Sequence, residues 1–192
     1  MIKGESAISP TVLYDRMRIL AQSMGWQVLT KPSLGKESGH LGTNIGGICK
    51  VIWIDSSQPV EAKLNTLIHE IVHIFLPVEC MVCEDFAEIA AYIVTHAVLL
   101  SWRIDSTKET LQAVRHYGLR LIDFSTVKKI KQVFPLEFFL KILHVTTLNI
   151  AMAGHTLKST LQDSHTIFIP SSVESMQNVF NMFSDDLKDI WE

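Results

Sequence analysis

The chain has 192 residues, 47% of them hydrophobic and 19% charged, enough for one compact domain or a domain with a helical extension. A net charge of −3 is too mild to argue for a nucleic-acid or membrane partner, and three cysteines (Cys49, Cys80 and Cys83) are too few for a disulfide framework. The most apolar stretches, 86–102 and 136–153, are interrupted by Glu88 and His96 and by Glu137, Lys141, His144 and Asn149, so neither reads as a spanning helix.

The opening MIKGESAISP lacks the apolar core of a secretory signal, and a cytoplasmic location is expected. Val12, Leu13, Met17, Leu20 and Met24 follow Pro10 at helical spacing and predict a first helix over 10–24. Trp26 to Leu29 reads as a short strand. The next stretch, KPSLGKESGHLGTNIGG, is rich in Gly and Ser and reads as a loop or hairpin connection. Ile48 to Asp55 is β-branched and apolar, which predicts a buried strand. Ser56, Ser57 and Pro59 then signal a helix start, with Glu61 in its first turn, and Pro77 stops that helix. Further helices are expected over 84–103, from Asp105 or Ser106 to about Tyr117, near 125–132, over 136–153 and from Ser172 to Trp191, with a strand at 166–169. Strands early and helices late predict an α+β fold.

The chemistry concentrates in His69-Glu70-Ile71-Val72-His73. Residues four apart share a helix face, so the two imidazoles can grip one metal ion. Glu70 lies about 100° round the helix, out of ligating reach but able to touch a metal-bound water as a general base. Leu64, Ile68, Val72 and Phe75 form an apolar stripe that would pin the helix to a core. Catalytic zinc takes three protein ligands and keeps a fourth position open. Glu84 and Glu88, on the following helix, are the leading candidates for the third, and one can ligate while the other supports a ligating histidine. Tyr92 continues their face and His96 follows it. Either could hydrogen-bond a developing oxyanion, and half-buried packing is the plain alternative. Cys80 and Cys83 form a single CxxC with no second pair, and read as reduced structural thiols or as a substitute third ligand. His155 is a more distant alternative ligand.

This pattern resembles the ImmA/IrrE family of metallopeptidases over roughly residues 10–100: a helix, a strand, KVIWID, HEIVH, and then Glu84-Asp-Phe-Ala-Glu88-Ile-Ala-Ala-Tyr. That last box is similar to the E-x-x-A-(N/E)-x-x-A stretch of the family, and to the ExxxD box of gluzincins. The resemblance implies a zincin-like fold, a small N-terminal β-sheet on the HExxH helix with a mostly helical C-terminal half. It implies Zn2+ held by His69, His73 and Glu84, with Glu88 supporting a ligand, and hydrolysis of a peptide bond in a regulatory or repressor-type protein. A zincin-like core over 1–104 and a packed helical extension over 105–192 are the expected division. A peptide substrate would lie extended along a sheet edge near 47–55.

A second reading takes the zinc site as vestigial or structural in a regulatory protein that binds DNA or an acidic partner. Lys108, Arg115, Arg120, Lys128, Lys129, Lys131 and Lys141 would carry the charge. The plainer reading of that basic stretch is a solvated helical face.

Overall fold

The computed structural model describes residues 8–32, 34, 38–43, 50–77, 80, 83–122, 136–161, 178–179 and 181–191. They form an α+β chain of six helices and one three-stranded mixed sheet near the N-terminus. By packing, the chain divides into two compact units, residues 1–71 with 153–168 and residues 72–152 with 169–192.

The first unit opens with α1 (Pro10–Ser23). Ser9 caps it by accepting from the Val12 amide at 3.4 Å, and Pro10 fills the first turn, where a missing N–H costs nothing. Leu13, Met17 and Leu20 of the predicted stripe are buried and Ala21 joins them, whereas Val12 is exposed and Met24 half-buried. Gly25, at φ +82°, turns the chain into β1 (Trp26–Lys31), a conformation that side chains resist.

The sheet order is β1-β3-β2, with β2 at Gly39–Thr43 and β3 at Lys50–Asp55. β3 pairs in parallel with β1, Trp26 opposite Lys50, and antiparallel with β2, Gly39 opposite Ile54. Val51, Ile52 and Ile54 are fully buried, as expected of a strand flanked on both sides. Two expectations change here. The Gly-rich stretch after Lys31 is not all connection, because Gly39–Thr43 pairs with β3. And β3 is the central strand, so the 50–55 segment offers no edge to a peptide; among the described strands β1 and β2 are the outer ones. The composition GHLGT hides β2 because its β-propensity is low. Its pairing comes from the strand beside it.

Asp55 ends β3 with a tight turn, accepting from the Ser57 amide at 2.8 Å and the Ser57 hydroxyl at 2.6 Å. α2 (Val60–Phe75) follows, and the helix is continuous where the first unit gives way to the second, after Ile71.

In the second unit α3 (Glu84–Ser101) is buried over most of its circumference, from Phe86 to Leu99, the signature of a core helix. It ends at Arg103, which takes a left-handed φ of 63°. The Ile104 amide bonds back to the Leu99 carbonyl at 3.0 Å and the Arg103 amide to that of Leu100 at 2.9 Å, a Schellman termination. α4 (Thr107–Ile122) returns along α3. It runs past the expected end at Tyr117, with Gly118 inside the helix where a Cβ would crowd the side chain of Ile190. The expected boundary at 104/105 therefore falls within an α3–α4 hairpin that belongs to one unit.

α5 (Leu136–Leu161) extends the expected 136–153 helix, and α6 (Ser184–Trp191) is the described part of the last. The stretch Leu136–Gly154 is long and apolar enough to cross a membrane by composition, a test that core helices also pass. Within it Phe139, Leu143, Thr147 and Ile150 are buried, and the Phe139 ring lies 6.0 Å from that of Phe86. The helix expected near 125–132, the strand expected at 166–169 and the start of the last helix lie outside the described residues.

Candidate metal centre

α2 carries His69, Glu70 and His73 as the sequence predicts, and its apolar face is wider than the predicted stripe. Leu64, Leu67, Ile68, Ile71 and Val72 are buried, whereas Phe75 is only half-buried. That burial fixes the helix's rotation and so holds both histidines in place. One turn apart, they lie on one face, each partly open to solvent.

α3 supplies the third group. Glu88 Oε1 is 3.2 Å from His73 Nε2, with side-chain exposures of 20% and 10% respectively. One donor atom each from His69, His73 and Glu88 can be chosen so that all three lie within 4.8 Å of one another. Four ligands placed tetrahedrally at about 2.0–2.2 Å from an ion sit roughly 3.3–3.6 Å apart, so the donor atoms are near enough to hold a small divalent cation if they close by up to about 1–1.5 Å. Two imidazoles and a carboxylate are also a donor set that borderline-soft zinc accepts.

Glu84, the expected third ligand, is the first residue of α3; it is exposed and is not part of this group. Glu88, expected in support, is the carboxylate that meets His73. Cys80 is buried and Cys83 is the residue before α3; neither is in a disulfide and both lie outside the group. His96 is fully buried towards the far end of α3, its Nδ1 2.8 Å from the Ser106 hydroxyl, and serves that junction. The His155 side chain lies outside the described residues.

Glu70 is 7% exposed, well covered for a carboxylate. β2 lies against it. A Cβ on Gly39 would stand 3.4 Å from Glu70 Oε1, 2.5 Å from Thr66 Cγ2 and 2.8 Å from the Trp53 carbonyl oxygen. Only glycine lets the strand approach this closely, so Gly39 belongs to the walls of the site.

Tyr92 is half-buried one turn beyond Glu88, its ring centroid 6.1 Å from that of Tyr117 on α4. Tyr117 was not legible from the sequence. Burial, then the negative charge of Glu88, push its phenol's pKa well above the ordinary value. Arg120 lies 5.7 Å over the same ring, and its Nε is 3.2 Å from Asp85 Oδ1. Asp85 and Glu88 on α3, and Tyr117 and Arg120 on α4, are each three apart, so they meet as two rungs of an antiparallel helix pair. Only knowledge of that pairing would have exposed the match.

Comparison with protein-family models, with curated proteins and with solved structures found no match. The site therefore stands on its geometry.

Proposed function

We propose that this chain is a zinc-dependent peptidase of zincin-like fold, similar to the ImmA/IrrE metallopeptidases, with His69, His73 and Glu88 as its metal ligands. The observation that carries the reading is the convergence of His69, His73 and Glu88 beside a covered Glu70. Glu88 takes the ligand role that the family resemblance would give to Glu84.

A divalent ion held there supplies Lewis acidity, which polarises a carbonyl and makes water a nucleophile near neutral pH. The protein's own part is positioning and proton transfer. Glu70, next to His69 on the helix, takes the proton of the attacking water and returns it to the leaving amine. Its coverage by β2 keeps bulk water from competing for the carboxylate. An extended peptide added to the outer side of β2 would run past Gly39, against which Glu70 lies; this replaces the central strand as the substrate's neighbour. Tyr92 remains the proposed donor to the developing oxyanion. A regulatory protein is the substrate the resemblance suggests, and the cytoplasm the expected compartment.

Nothing among the described residues favours the DNA-binding reading. Arg115 is 2.7 Å from Asp186 and Arg120 is engaged by Asp85, which spends part of the basic segment's charge within the protein.

The decisive experiment pairs metal analysis with hydrolysis of a peptide library. Wild-type protein should bind one zinc per chain and cleave; Glu70→Gln should keep the zinc and lose about 10²–10⁴-fold in rate. Glu88→Ala should lose zinc while Glu84→Ala retains it. Full activity in Glu70→Gln, or zinc loss in Glu84→Ala alone, would sink the assignment.

A further inference from the structure

The two helices that carry His73 and Glu88 are joined through Cys80 and Cys83, a pair that lies outside the metal centre. The Cys80 amide bonds the Pro77 carbonyl at 3.0 Å, and the Cys83 amide bonds the Cys80 carbonyl at 3.4 Å. A bond from the Ala87 amide to the Cys83 carbonyl at 3.1 Å then opens α3. Cys80 and Cys83 are therefore the first and last residues of one turn, whose ends lie within about 7 Å at Cα. A disulfide spans about 4.4–6.8 Å between Cα atoms. The backbone thus already holds the two residues at bridging range, and neither is in a disulfide.

The two thiols differ in access. Cys80 is 1% exposed, whereas Cys83 is half-buried. Cys83 is also the N-cap of α3, and its side chain makes no cap bond, so its sulfur is not committed to the amides of the first turn. An accessible cysteine beside a shielded one is the arrangement in which the first sulfur meets an oxidant and the second resolves the product. We propose that Cys80 and Cys83 are a peroxide-oxidised thiol pair, closing to a disulfide within the turn between α2 and α3. The Cys83 sulfur attacks one peroxide oxygen, the O–O bond breaks, and a sulfenic acid and water form. The Cys80 sulfur then attacks the Cys83 sulfur. The S–S bond forms, the S–O bond breaks, and the hydroxyl leaves as water with the Cys80 proton. The thiols give up two electrons and the peroxide takes them. In a reducing compartment such bridges are transient and serve redox sensing. Closure braces the junction between the helices that carry His73 and Glu88 without removing a ligand from the centre. The proposal does not depend on that centre binding zinc.

The test oxidises the reduced full chain with hydrogen peroxide, with zinc present and after chelation, and maps the thiols by mass spectrometry of non-reduced peptides. Both thiols of the pair should be lost together to a Cys80–Cys83 bridge and returned by dithiothreitol. In Cys80→Ser a sulfenic-acid trap such as dimedone should label Cys83, and in Cys83→Ser the same exposure should leave Cys80 unlabelled. The wild-type map decides the matter even where a variant does not fold. The bridged form should melt about 2–4 °C higher than the reduced one, because the cross-link restricts the unfolded chain. A bridge to Cys49 or between two chains, or Cys83 carried to the sulfinic acid while Cys80 stays a thiol, would overturn the proposal. So would an unchanged or lower melting temperature, which would show that the bridge needs a different turn. Zinc content should be the same before and after oxidation; release of zinc on closure would tie the thiols to the ligand set and overturn the proposal. Closure in a chain that binds no zinc would leave it standing and remove the metal reading instead.

Discussion

The two ends of α3 hold histidines in opposite ways. Near its start, Glu88 meets His73 in a partly exposed setting where a carboxylate faces an imidazole. Towards its end, His96 is fully buried, faces the Ser106 hydroxyl and stands edge-on to the Phe183 ring at 5.4 Å. A charged partner and an open side favour a ligand or an ion pair; a hydroxyl and an aromatic ring favour a neutral imidazole that only packs and bonds. The sequence made His73 a metal ligand and left His96 between an oxyanion donor and plain packing. The partner and the solvent access separate them, so changes at the first end should move chemistry and changes at the second should move stability.

Gly39 puts the sharpest strain on that division. Gly39→Ala places a methyl within 2.5 Å of Thr66 and 2.8 Å of a backbone oxygen, so strand or helix must shift. Overpacking of this kind costs about 1–3 kcal/mol. The same shift displaces Glu70, whose Oε1 is 3.4 Å from the new atom. The expected result is a lower melting temperature together with a fall in kcat at unchanged zinc content. A variant that melts lower but turns over normally when folded would show that β2 braces α2 without setting Glu70.

What the sequence made legible follows the range of the interactions involved. α1, α2 and α3 rest on local periodicity and stops such as Pro77, and the HExxH residues lie within one helical turn and a half, so both could be read directly. Glu84 and Glu88 could not be told apart, because four residues is one turn and periodicity gives both the same face. Only the height at which α3 meets His73 decides between them. β2 was hidden because its glycine serves an approach to another element. Tyr117 was hidden because the carboxylate whose charge it feels lies on a different helix, and no local pattern marks neighbours across a hairpin.

His96 tests the structural end of the comparison through pH. Burial lowers its pKa from the ordinary 6.5, against the opposing charges of Asp105 and Glu109. The folded protein therefore binds fewer protons than the unfolded chain between that lowered value and about 6.5. Stability from this group is complete above about 6.5 and is lost as the pH falls through the window, with a slope of at most about 1.4 kcal/mol per pH unit. Denaturant titrations of wild type and His96→Gln between pH 7.5 and roughly 5 should diverge in slope, the variant being flatter. Parallel slopes would mean that His96 does not titrate on unfolding. Zinc affinity at pH 7.5 should be the same in both; a weaker variant would join the two ends of α3 that the comparison keeps apart.

The smallest effect is expected at Arg103, in the turn between α3 and α4. It is an exposed, non-glycine residue at φ 63°, in the position of the Schellman motif that glycine usually fills. A left-handed conformation costs an L-residue about 1–2 kcal/mol, and glycine gives back part of that gain through the greater freedom of its unfolded state. Arg103→Gly should therefore raise stability by about 0.5–1 kcal/mol, a melting increase of roughly 2–4 °C at most. Arg103→Ala keeps the strained φ and should bring no such gain, which separates backbone relief from loss of the charge. Both variants should bind zinc as wild type does, because the turn holds α4 against α3 at the end away from Glu88. A gain in Arg103→Ala equal to that in Arg103→Gly would assign the effect to the guanidinium instead of the backbone.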